Sequence, residues 1–510
     1  MVAEVKTLAF SGIEVIDVNV EAHMASGIPN FILVGLADKT IAESRERVRA
    51  AINSLGLSLP PKRIIINLAP ADLTKEGSHF DLPIACCLLA SMGIIEARKL
   101  DDYIVLGELS LDGSIRSISG ALPAAIGANA RNKGIICPED NGTEASWSGN
   151  SNILCPENLL CLVNHFKGIQ LIAPPKLADY PKNDVDKLPD IDEIYGLEGA
   201  KRALEITAAG GHNLLMCGAP GAGKSMLAAR LPSILPPLTN EEMLECSMVY
   251  SIAGLIKEGK LQTQRPFRAP HHSCSMAAMV GGGMARRMTP GEISLAHNGI
   301  LFLDELPEFP RAVIDSLRQP LENREVLISR SGSHISFPAK FQLIAAMNPC
   351  RCGYLEDESR SCGKAPGCST SYQAKISGPI IDRIDIFIDI PYISPTEIRI
   401  KNRRTSADVL ESIIRARDIQ KNRYNGLGFL TNSELSNEKL EDFINISPEA
   451  RAILHQAADK LKFSMRSYTR VLKLARTIAD LADANIINVE HISESVGYRK
   501  VVFNNASILN

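Results

Sequence analysis

The sequence predicts a multidomain α/β chain. An α+β domain is expected over residues 1–170, a linker over 171–193, an α/β core over 194–395 and a helical domain over 396–510. Three observations carry this reading. Gly218 to Ser225 reads GAPGAGKS and lies between an apolar run, Asn213 to Cys217, and a helical pattern, Met226 to Leu231. The tract 172–193 holds four prolines among many charges, which is linker composition. After about residue 395 strand character fades and helical spacing takes over.

The bulk composition sets limits. At 510 residues the chain is long enough for about three cores. Apolar content of 45% and charged content of 22% are those of a globular protein. A formal net charge of −3 excludes a chain-wide cationic field, so any basic surface is local. The N-terminus lacks the basic-then-apolar layout of a signal peptide. The longest apolar run, Ile84 to Ala90 extended to Ile95, is too short to span a bilayer, and no membrane partner is expected. Twelve cysteines in this length do not suggest a disulfide scaffold.

In the first block, Ile16, Val18, Val20 and Ala22 alternate with polar residues and predict a half-buried strand. Phe31 to Val34 and Arg63 to Leu68 predict two more strands, and Ala37 to Leu55 an amphipathic helix. Asp81 to Met92 reads as a buried helix, and Ile104 to Ile118, with Asp112-Gly113 at its centre, as a hairpin. Two stretches, Lys75 to Pro83 and Gly107 to Gly113, resemble the proteolytic domain of Lon proteases and the C-terminal domain of RadA, of the S5 domain 2-like class. The resemblance implies a Ser–Lys pair at places held here by His79 and Leu122. Without that pair there is neither attacking oxygen nor base, so a non-proteolytic scaffold or DNA-contacting module is expected. Ser78 and His79 read as turn residues.

Past the linker, Ala200 to Ala209 predicts a helix before the glycine loop. Gly218, Ala219, Pro220, Gly221, Ala222, Gly223, Lys224 and Ser225 fit G-x-x-x-x-G-K-[ST], the loop that cradles a polyphosphate. With Met226 they form the expected binding site for ATP. Backbone N–H groups and the helix N-terminus face the phosphates, Lys224 reaches the β- and γ-phosphates, and the Ser225 hydroxyl holds Mg²⁺. A nucleotide-binding enzyme of this composition is expected to be cytoplasmic. Gly299 to Leu303 is an apolar strand tipped by Asp304 and Glu305. Asp304 is expected at Mg²⁺ and Glu305 at the attacking water. Phe341 to Met347 is a further strand, and Asn348 at its end is expected to orient that water, the alternative being a turn residue before Pro349. Arg383 lies between Asp382 and Asp385 and could form a salt bridge with either. Cys350, Cys352, Cys362 and Cys368 fall within nineteen residues, close enough for a tetrahedral Zn²⁺ site, the alternative being four free thiols in a loop.

These residues together resemble the AAA+ class. Arg265 to His272, Pro290 to Gly299 and Asn348 to Gly353 narrow the resemblance to the Mg-chelatase-like ATPases of the ComM (YifB) type, over essentially the whole chain. Arg351 departs from the proline more usual between the two cysteines. The resemblance implies a homo-hexamer with ATP sites between subunits, acting as a helicase or branch-migration motor on single-stranded or branched DNA. It implies that Arg383 reaches the γ-phosphate bound by a neighbour, as a planar charged fork suits. It also implies that Arg466, at the start of the helix Met465 to Ala484, closes on the γ-phosphate as part of a lid, with Arg470 one turn later.

The family is similar to MCM helicases, and that resemblance implies inserts that project into the central channel of a ring. Here these are the region Phe267 to Arg287, with Gly281-Gly282-Gly283, and a strand–turn–strand over Glu325 to Lys340 turning at Ser331 to His334. Arg286, Arg287, Arg330 and Lys340 are candidate phosphate contacts. His271 and His272 are open to DNA, metal, nucleotide or a structural hydrogen bond. Helices are expected over Ser406 to Lys421, Ser447 to Leu461 and Val489 to Tyr498, and Arg399 to Arg423 carries eight Lys/Arg against two Asp and one Glu, a locally basic patch. A metal-insertion ATPase subunit and an ATP-dependent unfoldase are the alternatives to the DNA motor.

Overall fold

The computed structural model describes residues 3–35, 39–176, 188–283, 288–330, 333–355, 367–392 and 404–499. The N-terminal part is built on a seven-stranded mixed sheet. Its order is Asn30–Val34, Arg63–Ala69, Glu14–Ala25, Ala3–Ser11, Tyr103–Val105, Gly134–Ile136, Ile153–Leu154. The hairpin of its two long strands sets Val5 opposite Val20. Val18, Val20 and Ala22 are buried, as the alternation requires, while Ile16 near the strand's start is exposed. Helix Asp81–Ser91 is buried from Asp81 to Leu89, which suits its apolar sequence on every face. The one charge it buries, Asp81, accepts from Arg47 Nε at 2.6 Å and Nη2 at 3.0 Å.

The hairpin expected over Ile104 to Ile118 is shorter. Ile104 belongs to the main sheet, and only Glu108–Leu109 pairs with Ile115–Arg116. Asp112 closes the turn, its Oδ1 accepting from Ser114 N at 3.0 Å, and Gly113 takes the left-handed φ of 84° that the turn needs. His79 lies in a 3-10 turn but is a core residue. It packs between Phe10 and Phe80, and its Nε2 is 3.0 Å from Leu8 O.

The central part holds a five-stranded parallel sheet in the order Phe267–Arg268, Gly299–Leu303, Phe341–Met347, Leu214–Gly218, Ile386–Ile390. Both faces are covered, which is why its strands read as continuous apolar runs. Leu214, Met216, Ile300, Phe302, Ile344 and Ile388 point into one core, and Leu215, Cys217, Leu301, Leu303, Leu343 and Ala345 into the other. The first core is completed by Val409, Ile413, Leu474 and Ile478 from the C-terminal helices Ser406–Arg423 and Met465–Leu481. Asp190 and Ile191, inside the expected linker range, already belong to this packing. Ile191 is buried, and Asp190 Oδ1 accepts from Ser406 N at 2.8 Å.

The N-terminal part docks on helix Asn240–Ala253 of the central part. Gly120 N donates to Ser251 O at 3.0 Å, Trp147 Nε1 donates to Gly259 O at 2.9 Å, and the Ser251 hydroxyl donates to the buried Glu144 carboxylate. Among the described residues no helix is long and apolar enough to cross a membrane.

The basic patch expected over Arg399 to Arg423 does not form a continuous cationic face among the described residues. Arg404 pairs with Glu205, Arg417 donates to Ala208 O, and Arg423 forks onto Asp480. Arg417 and Arg423 lie six positions apart on helix Ser406–Arg423 and so point to different neighbours, Arg404 precedes that helix, and Arg399, Lys401 and Arg403 lie outside the described residues. Asp480 anchors this packing, accepting from Arg423, from Arg476 Nε at 3.1 Å and from Asn432 Nδ2 at 2.8 Å, with its own side chain fully buried. Asp480→Ala leaves the buried Arg476 guanidinium without its carboxylate. It should lower the stability of the C-terminal part by about 3–5 kcal/mol, measured by urea denaturation.

Candidate nucleotide site

Because the five strands run parallel, their C-terminal ends share one edge of the sheet. Cys217 pairs with Met347, and Leu303 pairs with Ala345, so the segments after Gly218, Leu303 and Met347 emerge side by side. The strand Leu214–Gly218 has sequence-distant neighbours on both sides, the place in an open sheet where a crevice forms. The glycine loop fills it. Gly221 and Gly223 have φ of 77° and 90°, backbone that only glycine adopts readily, and Gly223 opens helix Lys224–Ile234. Gly218 is needed for a different reason: a Cβ there would lie 2.7 Å from Ile390 O. Ala222 is buried, and Met226 is half exposed on the first turn of the helix.

Lys224 folds back over the loop. Its ammonium donates to Gly218 O at 2.6 Å, Ala219 O at 2.9 Å and Asn348 Oδ1 at 3.1 Å. Burial pushes its pKa down, and the nearby Asp304 opposes that shift. Ser225 Oγ donates to Asp304 Oδ2 at 2.6 Å, so a hydroxyl and a carboxylate oxygen meet at the mouth of the loop. An ammonium, a glycine-loop backbone and a helix N-terminus suit a polyphosphate, and the paired oxygens suit a hard divalent cation.

Glu305 lies beyond Asp304 with φ of 52° and ψ of 47°, an uncommon left-handed conformation for a glutamate. Its Oε2 is 3.5 Å from His272 Nδ1, and the His272 ring packs against that of His271 with centroids 4.0 Å apart and planes tilted by 35°. Of the roles open to the two histidines, the geometry brings His272 to the acidic tip, while His271 Nδ1 lies 2.9 Å from Ser273 Oγ. Sequence reading did not link His272 to Glu305. The two are thirty-three positions apart, and no local pattern joins them.

The arginines sit elsewhere. Arg383 precedes the strand Ile386–Ile390, whose first residue pairs with Leu214, so it lies at the sheet edge opposite the glycine loop. Leu214–Gly218 spans five residues, or roughly 16 Å, between the two edges. Arg383 is 7% exposed, and its partner is neither Asp382 nor Asp385. Its guanidinium pairs with Glu322 and donates to Pro379 O at 2.6 Å. Arg466 approaches the same Glu322 at 3.8 Å. Asp385 instead takes Arg470, whose charge helps hold its carboxyl well below the usual range against the opposing effect of burial. Two cations expected at the γ-phosphate therefore converge on one carboxylate, which no sequence pattern indicated.

Cys350, Cys352 and Cys368 bring their sulfurs within 4.8 Å of one another. Cys362 lies outside the described residues, as do Arg286 and Arg287. The hairpin Glu325–Arg330 with Ser333–Pro338 pairs Arg330 with Ser333, so Ser333 and His334 are strand rather than turn. The Arg330 side chain lies outside the described residues. Lys340 is 3.1 Å from Glu434, so its charge is already paired.

Comparison with known proteins covers almost the whole chain. Residues 190–398 match the family model described as magnesium chelatase, subunit ChlI. Residues 20–141 match subunit ChlI of Mg-chelatase, and residues 403–499 match the ChlI C-terminal model. The chain is 41% identical to the uncharacterized protein YifB of Escherichia coli over 500 residues, 98% of this chain and 97% of that protein. It is 41% identical to the competence protein ComM of Haemophilus influenzae over 508 residues, 98% of each. It is 27% identical to the magnesium-chelatase 38 kDa subunit of Rhodobacter capsulatus over 171 residues, 31% of this chain and 49% of that protein. With a five-stranded parallel sheet, a glycine loop at its crevice and full-length relatives at this identity, the chain belongs to the magnesium-chelatase-like AAA+ family that includes YifB and ComM.

Proposed function

We propose that the chain is an ATP-driven DNA motor that works as a ring, a hexamer by family resemblance, in the cytoplasm. The proposed task, branch migration during recombination of incoming DNA, is what the family resemblance implies, and the relative in Haemophilus influenzae is named a competence protein. The observation that carries this reading is the split of the site across the sheet. The glycine loop, Asp304 and Glu305 lie on one edge and Arg383 and Arg466 on the other, so each chain lacks at its own loop the cations that it could present to a neighbour.

The residues on the loop edge fit ATP and Mg²⁺. Gly218 to Met226 would hold the phosphates, with Lys224 exchanging its carbonyl partners for phosphate oxygens. Ser225 and Asp304 would hold Mg²⁺, which when bound offsets phosphate charge. Glu305 would accept the proton of the attacking water, and Asn348 would orient that water while remaining tied to Lys224. Across the subunit boundary Arg383 and Arg466 would leave Glu322 for the γ-phosphate, exchanging one anionic partner for another. The helical end then acts as the lid that carries Arg466.

The N-terminal part is proposed as a non-proteolytic scaffold of the Lon-like type. Its His79 is committed to the core, and Leu122 is buried in helix Ala121–Ala130. Channel contacts to DNA are assigned to the insert after Phe267 and the hairpin Glu325–Pro338. The ChlI family models favour a metal-insertion ATPase as the second reading. Stimulation of ATP turnover by single-stranded or branched DNA separates the two, and the motor reading predicts it.

Lys224→Ala should weaken ATP binding about ten- to a hundredfold, read by fluorescent-nucleotide titration. Glu305→Gln should bind ATP normally and lose about 10²–10⁴-fold in turnover. Arg383→Ala should lose turnover about a thousandfold alone. Mixed with Lys224→Ala subunits it should recover part of the rate, because each variant supplies the half-site the other lacks. Normal hydrolysis by Arg383→Ala alone contradicts the intersubunit site.

A further inference from the structure

The strand Phe341–Met347 runs through Asn348 directly into the cysteine segment. Three features bind that segment to the nucleotide site. Asn348 Oδ1 accepts from Lys224. Gly353, at φ of 84°, packs so closely on the glycine loop that a Cβ would lie 2.5 Å from Pro220 Cδ. The Pro349 carbonyl accepts from Ser369 Oγ and from Gln373 Nε2, each at 3.0 Å, which ties it to helix Gly367–Gln373. The sulfurs of Cys350, Cys352 and Cys368 cluster between these contacts, with Cys350 fully buried.

We propose that these three thiols form a site for a soft divalent cation, zinc, and that its occupancy holds Asn348 and Pro220 in register for ATP. Three sulfurs within 4.8 Å of one another are close enough to share one ion as three of its thiolate ligands, with Cys350 Sγ and Cys352 Sγ opening from 3.0 Å to about 3.8 Å as it enters, whereas hard cations prefer oxygen. Zinc binds the thiolates, so the thiol protons pass to solvent as the Zn–S bonds form. The ion cross-links Cys350 and Cys352 to Cys368 across a stretch that carries Gly353, Gly363, Pro366 and Gly367. It thereby fixes the strand tip on one side and the wall of the phosphate loop on the other. The site does not depend on the nucleotide reading, but the coupling to ATP rests on it.

The test uses full-length protein grown in zinc-replete medium. Zinc is counted by plasma mass spectrometry, and its release by a mercurial thiol reagent is followed with a metallochromic dye. About one zinc per chain is expected in wild type and in Lys224→Ala, and loss of most of it in Cys368→Ser and in Cys352→Ser. Fluorescent-nucleotide titration of wild type before and after zinc release should show roughly tenfold weaker binding without metal. Circular dichroism checks that the serine variants are folded, and release from wild type gives the metal readout without them. A wild-type chain that carries no zinc overturns the site. A zinc-loaded chain whose nucleotide affinity is unchanged by release overturns the coupling. If even the zinc-loaded chain binds no nucleotide, the nucleotide reading fails while the zinc count still stands.

Discussion

The Lys224 ammonium is the contact on which the rest of this architecture depends. It bonds two carbonyls of its own loop and the side chain of Asn348, 124 positions away. That geometry exists only because the phosphate-loop strand and the Asn348 strand are parallel neighbours with matched register. Register in turn follows from two buried faces, since a one-residue slip would exchange the two cores. Packing thus sets the chemistry: apolar alternation fixes the strands, and the strands bring a cation, a hydroxyl, two acids and an amide to one edge.

The opposite edge has its own logic. Asp385 is fully buried and takes Arg470, while Arg383 and Arg466 share the half-exposed Glu322. A buried pair such as Arg470–Asp385 is costly to break and suits a structural role. Glu322 is half exposed, so water can take over its charge when Arg383 or Arg466 leaves it for another anion. The two arginines proposed to act in trans are those bound to Glu322, and the one in the buried pair is not. The N-terminal part meets the central part through the Gly120 N–H, the Trp147 indole and the buried Glu144 carboxylate, which accepts from Ser251.

Much of this was legible in sequence where the signal is local. The strand–glycine loop–helix unit, the acid-tipped strand, Phe341–Met347 and the C-terminal helices lie within a residue or two of expectation at most ends, because periodicity and glycine placement are short-range properties. Pairings between distant segments were not legible. Arg404 looked like part of a basic patch, but its partner Glu205 is 199 positions away. Asp190 looked like linker because its neighbours are prolines and charges, yet it accepts from Ser406, 216 positions on. Lys340 looked free for DNA, and Glu434 takes its charge. Glu322 drew no notice at all, since a carboxylate on a short helix has no pattern until two arginines fold onto it. The left-handed backbone at Glu305 is likewise invisible in a sequence without glycine there.

In the proposed ring, the loop edge of each chain is completed by the arginine edge of another. The most direct measurement is ATP turnover per chain across a dilution series, with the assembly state followed in parallel by mass photometry. The account predicts that turnover per chain collapses as rings fall apart into single chains. Turnover that stays constant down to the isolated chain contradicts it.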